Sequence, residues 1–309
     1  MRIMVTGGAG FIGSHVVESL LASGHDVCVV DDLSTGSLDN VPCSATFEQV
    51  DTQDAVTLEA VCRRFRPDAI VSLAAHVDVT RSVDEPSSDA GINILGSLNT
   101  FMAAVHSGTR RIVFASSGGA LYGETAVPAA EESALRPLAP YGIAKECAEH
   151  YLDWLRSQYG IDAVTLRFAN VYGPRQGERQ EAGVVCLMAS RLLAGRQPLV
   201  FGDGTQTRDF VYVADVVRAV ESALECPSGV YNIGTGVRTT ILELAERCMA
   251  FLGTSGTCDY AEPRHGDIHD SLLDCRRAER VMGWRAERTL NDGLKETLTW
   301  YTSRHSRET

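Results

Sequence analysis

Short apolar runs alternate with amphipathic stretches through the first half of the chain. Runs of four to six apolar residues predict strands, and apolar residues that recur every three or four positions between them predict helices. The predicted strands are Arg2–Thr6, Asp26–Val30, Phe47–Val50, Ala69–Leu73 and Arg111–Ala115, and the predicted helices are Phe11–Ser23, Thr57–Phe65 and Ile92–His106. Strands that alternate with helices favour a parallel sheet with helices on both faces and right-handed crossovers.

The second half begins in the same way and then becomes irregular. Tyr141–Tyr159 predicts a long helix and Ala163–Arg167 the strand after it, but glycine and proline are frequent beyond Asn170. This shift predicts that the chain leaves the main sheet to build a smaller lobe. A short strand and a helix over Asp209–Leu224 are expected to return to the first lobe.

These patterns together predict an α/β fold of the Rossmann type. We expect a doubly wound parallel sheet, with a smaller mixed α/β lobe for the substrate at the C-terminal end. The first domain is predicted to comprise residues 1–168, with 209–225 returning to it, and the second lobe residues 169–208 and 226–309.

The amino-acid composition indicates the cellular compartment of the protein. The 309 residues are 44% hydrophobic and 22% charged, and no apolar run approaches the roughly 20 residues that span a bilayer. The first apolar stretch, Ile3–Val5, runs directly into a glycine-rich turn, unlike a signal peptide. Nine cysteines without C-x-x-C spacing suggest neither a disulfide framework nor a zinc site. We therefore expect a cytoplasmic protein with free thiols.

The net charge limits the partners. A formal charge of −12 without a basic block argues against general affinity for nucleic acid, and the absence of a long apolar segment argues against a membrane. A phosphate-bearing substrate would then need isolated arginines in the site itself.

A glycine-rich turn lies between the first predicted strand and the first predicted helix. Its sequence, from Thr6 to Gly13, is TGGAGFIG. Such glycines allow a tight turn, close approach of a pyrophosphate to the backbone, and close packing of helix on strand. The following helix N-terminus supplies N–H groups and the positive end of a dipole. The turn predicts a dinucleotide site.

Acidic residues further along the chain indicate which dinucleotide binds. Asp31 ends the second strand, where a carboxylate can bond the adenosine ribose hydroxyls and repel a 2′-phosphate, so NAD is favoured over NADP. Asp32 could share this role or be a solvated turn residue. Asp51 could reach the adenine, and Asn93 could orient a neighbouring backbone turn.

Tyr141 and Lys145 form a Tyr-x-x-x-Lys pair at the start of a predicted helix, which places both side chains on one face. A free tyrosine titrates at about 10 and is a poor base at neutral pH. A neighbouring ammonium favours the phenolate and lowers that pKa. Because the pair follows the dinucleotide turn and Ser116-Ser117, it predicts acid–base chemistry beside NAD.

The motifs together resemble the extended short-chain dehydrogenase/reductase family, and within it the UDP-glucose 4-epimerases. The resemblance covers almost the whole chain. It is carried by Thr6–His15, Ser116–Gly123, Tyr141–Lys145, Leu166–Gln176, Gly202–Asp215 and Arg264–Asp267.

The resemblance implies roles for individual residues. Tyr141 would be the acid/base at the sugar O4, Lys145 its partner, and a serine would assist at the same oxygen. Contacts with NAD are implied for Gly7, Gly10, Phe11, Ile12, Gly13, Asp31, Asp32, Ser34, Thr35, Gly36, Asp51, Thr52, Leu73, Ala74, Ala75, Asn93, Ser116, Tyr141, Lys145 and Phe168. Contacts with the nucleotide sugar are implied for Ser117, Gly118, Tyr141, Asn170, Gly183, Val184, Val200, Phe201, Arg208, Arg264 and Asp267.

One position departs from the family pattern. Many relatives carry the catalytic hydroxyl four residues before the Tyr-Gly of this loop, which is Gly118 here. We assign the role to Ser117, with Ser116 or a water as alternatives. Gly119 and Ala120 stand where related dehydratases carry an Asp-Glu pair, which argues against dehydration.

The expected activity is NAD-dependent 4-epimerisation of a UDP-hexose, between UDP-glucose and UDP-galactose, through a transient 4-keto sugar. A UDP-glucuronate 4-epimerase or decarboxylase is the alternative, for which Arg81, Arg175, Arg179 and Arg191 are available. A non-catalytic NAD-sensing protein is a third. Ser271, a small residue, could leave room for an N-acetyl group or could face solvent. The resemblance also implies a homodimer, and no metal is expected.

Overall fold

The architecture was analysed in a computed structural model that describes residues 1–124, 128–177, 183–263 and 268–308. The strands are β1 (Arg2–Thr6), β2 (Asp26–Asp31), β3 (Thr46–Gln49), β4 (Ala69–Ser72), β5 (Arg111–Ser117), β6 (Asp162–Phe168), β7 (Asn170–Tyr172), β8 (Leu199–Phe201), β9 (Thr207–Tyr212), β10 (Gly229–Ile233), β11 (Arg238–Thr240) and β12 (Asp259–Ala261). The helices are α1 (Phe11–Ala22), α2 (Ala55–Phe65), α3 (Val79–Asp84), α4 (Pro86–Ala90), α5 (Ser97–Ser107), α6 (Gly118–Leu121), α7 (Pro140–Tyr159), α8 (Val184–Leu193), α9 (Val213–Ala223), α10 (Ile241–Phe251) and α11 (Leu290–Glu308).

Seven parallel strands form the central sheet, in the order β10-β6-β5-β4-β1-β2-β3. The inner strands are apolar and buried on both faces, as parallel strands between helices must be. Helices α1 and α9 pack on one face, and α2, α5 and α7 on the other. The Rossmann-type doubly wound fold is confirmed.

Two small sheets and a third apolar cluster lie beyond the central sheet. The order β11-β9-β7 forms one sheet and β12-β8 the other. The cluster is built by α8, α10 and α11 around Tyr172, Tyr212 and Tyr301. This is the smaller mixed lobe, and its first strand, β7, follows directly on β6.

Three segments differ from the sequence expectation. Of the strand and helix expected to return to the first lobe over Asp209–Leu224, helix α9 packs against α1, but strand β9 lies in the small β11-β9-β7 sheet. The predicted helix Ile92–His106 begins as one π-helical turn over Gly91–Gly96 and becomes α-helical only from Ser97. Strand β10 pairs with β6 at the edge of the central sheet, although residues 226–309 were assigned to the smaller lobe. Only five residues form this strand, and its parallel partner lies 65 residues away, so no local pattern marks the pairing. The division into lobes stays a prediction.

A buried ion pair ties α7 to the sheet. Arg167 on β6 donates from Nε and Nη2 to the two carboxylate oxygens of Glu149, at 3.0 and 2.6 Å. Its Nη1 donates to Tyr122 Oη at 2.8 Å, and Ser116 Oγ donates to Glu149. Every charge in this network has a partner, which is the condition under which buried ions are tolerated.

All nine cysteines fall within the described ranges, and each is a free thiol. Within those ranges, no helix combines the length and the apolar composition that crossing a bilayer requires.

The buried network around Arg167 should lose much of its stability when the Glu149 carboxylate is removed. We expect Glu149→Ala to lower the free energy of unfolding by about 3–5 kcal/mol, because it leaves the buried Arg167 charge unpaired. Urea unfolding measures this. The control is Glu59→Ala, which removes surface contacts with Arg63 and His106 and should leave the unfolding midpoint nearly unchanged. Equal effects of the two variants would contradict this account of the Arg167 network.

Candidate active site

The site lies where the strand order reverses. The chain builds β1, β2 and β3 towards one edge and then returns to place β4 on the other side of β1. The loops that follow β1 and β4 therefore diverge and leave a crevice at the carboxyl ends of the strands. A cavity of about 430 Å³ occupies this position.

Most of the predicted site residues line this one cavity. On the cofactor side they are Gly7, Gly10, Phe11, Ile12, Gly13, Asp31, Asp32, Ser34, Thr35, Asp51, Thr52, Leu73, Ala74, Ala75, Ser116, Tyr141, Lys145 and Phe168. On the substrate side they are Ser117, Tyr141, Asn170 and Gly183. The glycine turn, the acid–base pair and the residues predicted to contact the substrate therefore line one cavity.

The glycine turn brings two loops closer than any side chain would allow. Gly7 has φ +71°, and a Cβ placed there would lie 2.7 Å from the backbone N of Ala74. A Cβ on Gly13 would lie 2.0 Å from Gly7 O, so α1 packs directly on the turn. Gly10, the N-cap of α1, has no side chain that could occupy the N–H groups of the first turn. The turn therefore fits a pyrophosphate.

The two aspartates after β2 have different surroundings. Asp31 is buried and accepts hydrogen bonds from the backbone N–H of Ala9 and of Leu33, both at 2.9 Å. Burial raises the pKa of Asp31, and these two bonds oppose that rise. Asp32 is exposed and accepts from the N–H and the hydroxyl of Ser34. Asp31 thus fixes the glycine turn, and both carboxylates border the cavity.

The acid–base pair lies at the start of α7, directly after Pro140. Lys145 Nζ donates to Ala115 O at 2.9 Å and lies 6.0 Å from the centre of the Tyr141 ring. Burial lowers the pKa of Lys145 to about 8, against the opposing charges of Asp89 and Glu149. Both side chains line the cavity, so the Lys145 ammonium and the Tyr141 phenol border the same space.

The serines at the end of β5 differ in their bonding. Ser116 Oγ donates to Glu149 at 2.5 Å and belongs to the buried network. Ser117 is the N-cap of α6, makes no side-chain capping bond and lines the cavity. A Cβ on Gly118 would lie 2.6 Å from Leu273 Cδ1, so a side chain there would enter the core. This geometry supports Ser117 as the hydroxyl.

Asn93 shapes the cavity indirectly, through hydrogen bonds to the backbone of His76. Its Nδ2 donates to His76 O and to Asp89 Oδ1, and its Oδ1 accepts from His76 N at 3.0 Å. It does not line the cavity but shapes the turn after β4 that does. The π-helical turn that contains Asn93 places this side chain in the interior, where it is fully buried.

Several predicted residues do not border the cavity within the described ranges. Gly36 packs on Ala9 and Asp31, and Gly118 on Leu273. Val184 begins α8, Val200 is fully buried in the smaller lobe, and Phe201 ends β8. Arg208, expected to contact the nucleotide sugar, donates to the carbonyl oxygens of Thr207 and His269. Arg264 and Asp267 fall outside the described residues.

Other cavity residues were not among the contacts predicted from the sequence. They are Val30, Val50, His76, Val77, Val79, Ile92, Ala115, Gly119, Ala120, Ala169, Val171 and Gln176. Most are apolar residues at strand ends or in loops, for which no spacing rule exists. Gln176 ends the family stretch Leu166–Gln176 and could have been singled out there.

Ser271 is buried and does not face solvent, and its N–H donates to Thr207 O at 3.1 Å. It is not among the residues that line the cavity. Among the described residues, His, Cys, Asp and Glu side chains form no group of three that could hold a metal ion.

The chain matches a described protein family over most of its length. The sequence model of the NAD dependent epimerase/dehydratase family matches residues 3–234. The UDP-glucose 4-epimerase of Mycolicibacterium smegmatis is 40% identical over 312 residues, which cover 98% of this chain and 99% of that protein.

Solved structures with the same fold include two epimerases. The UDP-glucose 4-epimerase of Thermotoga maritima with UDP-glucose has 42% identity and a TM-score of 0.97, covering 98% of this chain and 99% of that one. The UDP-glucose 4-epimerase of Thermus thermophilus in complex with NAD has 40% identity and a TM-score of 0.93, with the same coverage. The resemblance inferred from the motifs is confirmed.

Asp31 provides a direct test of the cofactor side. We expect Asp31→Asn to weaken NAD binding by about tenfold, since a charged acceptor for the ribose hydroxyls is lost. Discrimination against NADP should fall at the same time, because the charge that repels a 2′-phosphate is removed. Titration of cofactor-free protein with each dinucleotide measures both effects.

Asp32→Asn is the matched control for this experiment. Its carboxylate is exposed and holds the Ser34 turn, so we expect nearly unchanged NAD affinity. A larger loss in the Asp32 variant than in the Asp31 variant would assign the ribose contact to Asp32.

Proposed function

The chain belongs to the NAD dependent epimerase/dehydratase family, and we propose that it inverts carbon 4 of a UDP-linked hexose, interconverting UDP-glucose and UDP-galactose with NAD as cofactor. The observation that carries this proposal is one cavity in which the glycine turn, Asp31, Tyr141 and Lys145 meet. A dinucleotide and a second, smaller ligand can therefore share the space beside the tyrosine.

NAD, when bound, supplies the group that takes up hydride from C4 and later returns it. Tyr141 takes the proton from the 4-hydroxyl and gives it back at the same oxygen. Lys145 stabilises the phenolate because its ammonium lies beside the ring. Ser117 assists as a hydroxyl at the cavity wall. The 4-keto sugar must present both faces of C4, so the sugar pocket must accept two orientations.

The charges of the site disfavour the glucuronate alternative. Among the described residues that line the cavity, Lys145 is the only lysine or arginine. Arg81 pairs with Glu85, Arg175 with Glu18 and Arg191 with Asp259. Arg179 falls outside the described residues. A neutral hexose fits this lining better than a sugar carboxylate.

Dehydration is disfavoured by the same wall of the cavity. Gly119 and Ala120 line it and carry no group that can move a proton. Turnover of any nucleotide sugar would exclude the alternative of a non-catalytic NAD sensor.

Turnover without added NAD tests the proposal. Purified protein should convert UDP-glucose to UDP-galactose, and Tyr141→Phe should reduce kcat by about 10²- to 10⁴-fold because the proton carrier is lost. Chromatography of the sugar nucleotides measures this. UDP-N-acetylglucosamine and UDP-glucuronate are tested in parallel.

The two neighbouring serines supply a control for this assay. Ser117→Ala should lower kcat while leaving stability unchanged, whereas Ser116→Ala should lower stability through Glu149. Conversion of UDP-glucuronate alone would transfer the assignment to the alternative, and no turnover of any of the three would refute an epimerase.

We also propose that the protein is a homodimer. We place it in the cytoplasm, because that compartment keeps thiols reduced and the cysteines of this chain are free thiols. Four large apolar side chains on two neighbouring helical segments are each more than a third exposed. They are Ile143, Tyr151 and Trp154 on α7, and Leu95 on the π-helical turn Gly91–Gly96. An apolar face of this kind on two helices can be buried against its own copy about a two-fold axis.

Trp154→Glu should convert the dimer to monomer, as light scattering after gel filtration would show. The control is Val56→Glu, which changes an even more exposed apolar residue on α2. A monomeric wild-type protein, or dissociation by the control variant as well, would contradict this interface.

A further inference from the structure

The contacts of the Lys145 ammonium are with neutral groups. The residue is 2% exposed, and its Nζ donates to the carbonyl oxygen of Ala115 at 2.9 Å. It also lies 4.9 Å from the centre of the Phe114 ring, as a cation–π contact. A buried ammonium keeps its proton only where an opposite charge offsets the loss of hydration. We therefore looked for carboxylates on the elements that pack against α7.

Two carboxylates raise the pKa of Lys145, and one of them already has a cation. Glu149 lies one turn further along α7 and binds the Arg167 guanidinium at 3.0 and 2.6 Å. The positive charge of Arg167 offsets the attraction of Glu149 for the lysine. Asp89 lies on α4, which packs against α7. Burial lowers the pKa of Lys145 to about 8, and Asp89 is the largest influence that opposes this change.

Asp89 is a buried carboxylate with one oxygen unsatisfied. Its Oδ1 accepts from Asn93 Nδ2 at 2.8 Å, and its Oδ2 is inaccessible and has no hydrogen-bond partner in the described part of the chain. Burial raises the pKa of Asp89, and the Asn93 bond and the charges of His76 and Lys145 oppose that rise. A buried carboxylate that lacks a partner at one oxygen depends on an opposite charge nearby.

The other cationic groups around Asp89 do not supply that charge at the pH where Lys145 titrates. Burial lowers the pKa of His76, and its Nε2 lies 3.2 Å from Arg81 Nη1, so the imidazole is neutral there. Arg81 on α3 pairs with the exposed Glu85 at 3.1 Å. Lys145 is the remaining cation on the elements that pack against α4, because the π-helical turn Gly91–Gly96 contains no charged residue.

The elements around α7 likewise bring no further free charge to the lysine. Their charged groups are engaged elsewhere: Arg111 on β5 with Asp162, His106 on α5 with Glu59, and Arg167 on β6 with Glu149. Helix α6 contains no charged residue, and Tyr141 is the titratable group that shares the start of α7 with Lys145.

We propose that the Asp89 carboxylate is the counter-ion of the Lys145 ammonium, and that Asp89 is a positioning residue of the acid–base pair. It does not line the cavity and acts through the lysine. Its consequence for turnover rests on the proposed function, whereas the pairing of the two charges does not. Asn93 bonds both Asp89 and the backbone of His76, so the counter-ion is fixed to the turn that borders the cavity.

The lysine content of the chain allows a direct test. Lys145 and Lys295 are its two lysines, so NMR of protein isotope-labelled at the lysine ε-carbon can follow each titration separately. Lys295 is exposed on α11 and serves as the internal reference. Asp89→Asn keeps an oxygen for Asn93 and removes the charge. The pKa of Lys145 should then fall by about one pH unit, and that of Lys295 should not change.

Asp84→Asn is the matched control. It removes an exposed carboxylate from α3, next to α4, where water screens the charge, so the titration of Lys145 should stay as in the wild type. In the turnover assay, the pH above which kcat declines should move down in Asp89→Asn by the same interval as the pKa of Lys145. Tyr141 then loses its cationic neighbour at a lower pH, while KM for UDP-glucose should change little.

A double-mutant cycle tests the pair without turnover. In Lys145→Met the buried Asp89 charge loses its counter-ion, so adding Asp89→Asn should raise the melting temperature. In the wild-type background Asp89→Asn also breaks the pair, so it should raise the melting temperature less, or lower it. If Asp89→Asn does not fold alone, folding of the double variant would support the pairing, and failure of both would contradict it.

The outcomes separate this inference from the proposed function. An unchanged pKa of Lys145 in Asp89→Asn, or an equal fall in Asp84→Asn, would overturn the counter-ion. Equal changes of melting temperature in both backgrounds would show that Asp89 contributes to packing only. If the lysine titrations follow the expectation but no nucleotide sugar is turned over, the proposed function fails and the pairing of Asp89 with Lys145 stands.

Discussion

The site depends on the contact between the ends of β1 and β4. At this point the backbone of Gly7 passes so close to Ala74 that no β-carbon fits between them. The positive φ of Gly7 turns the chain away from the sheet, and the absence of a side chain at Gly13 lets α1 settle on that turn. The first N–H groups of the helix then point into the crevice that the strand order opens.

The acid–base pair is connected to this crevice through the sheet. Lys145 is anchored to the carbonyl of Ala115, and Ser116 beside it donates to Glu149, which neutralises Arg167 on the next strand. The carboxyl ends of β5 and β6 are thereby fixed relative to α7. The same helix that carries Tyr141 is held by a buried ion pair two turns further on, so the position of the phenol is coupled to the packing of the core.

Local pattern explains which parts of the fold and the site could be predicted from the sequence. Apolar runs predicted the inner strands and periodicity predicted α7, whereas β10 could not be placed because its partner lies far along the chain. Motif spacing identified Tyr141 and Lys145, but the choice among Ser117, Ser116 and a water needed the hydrogen bonds of the two serine hydroxyls. Gln176 Oε1 is buried and has no hydrogen-bond partner in the described part of the chain. This is a property of a single atom, which no residue spacing reveals.

The distribution of charge explains how an acidic protein can select a neutral sugar. With a net charge of −12 the chain does not attract anions from a distance, and the described cavity wall holds a single cationic side chain, Lys145. The first turn of α1 offers N–H groups to a pyrophosphate without adding a full charge. Elsewhere on the cavity wall, the side-chain oxygens of Asn170 and Gln176 are buried acceptors that a phosphate or a carboxylate cannot satisfy. A hydrogen-bond donor on a ligand, such as a hydroxyl group, would satisfy both oxygens.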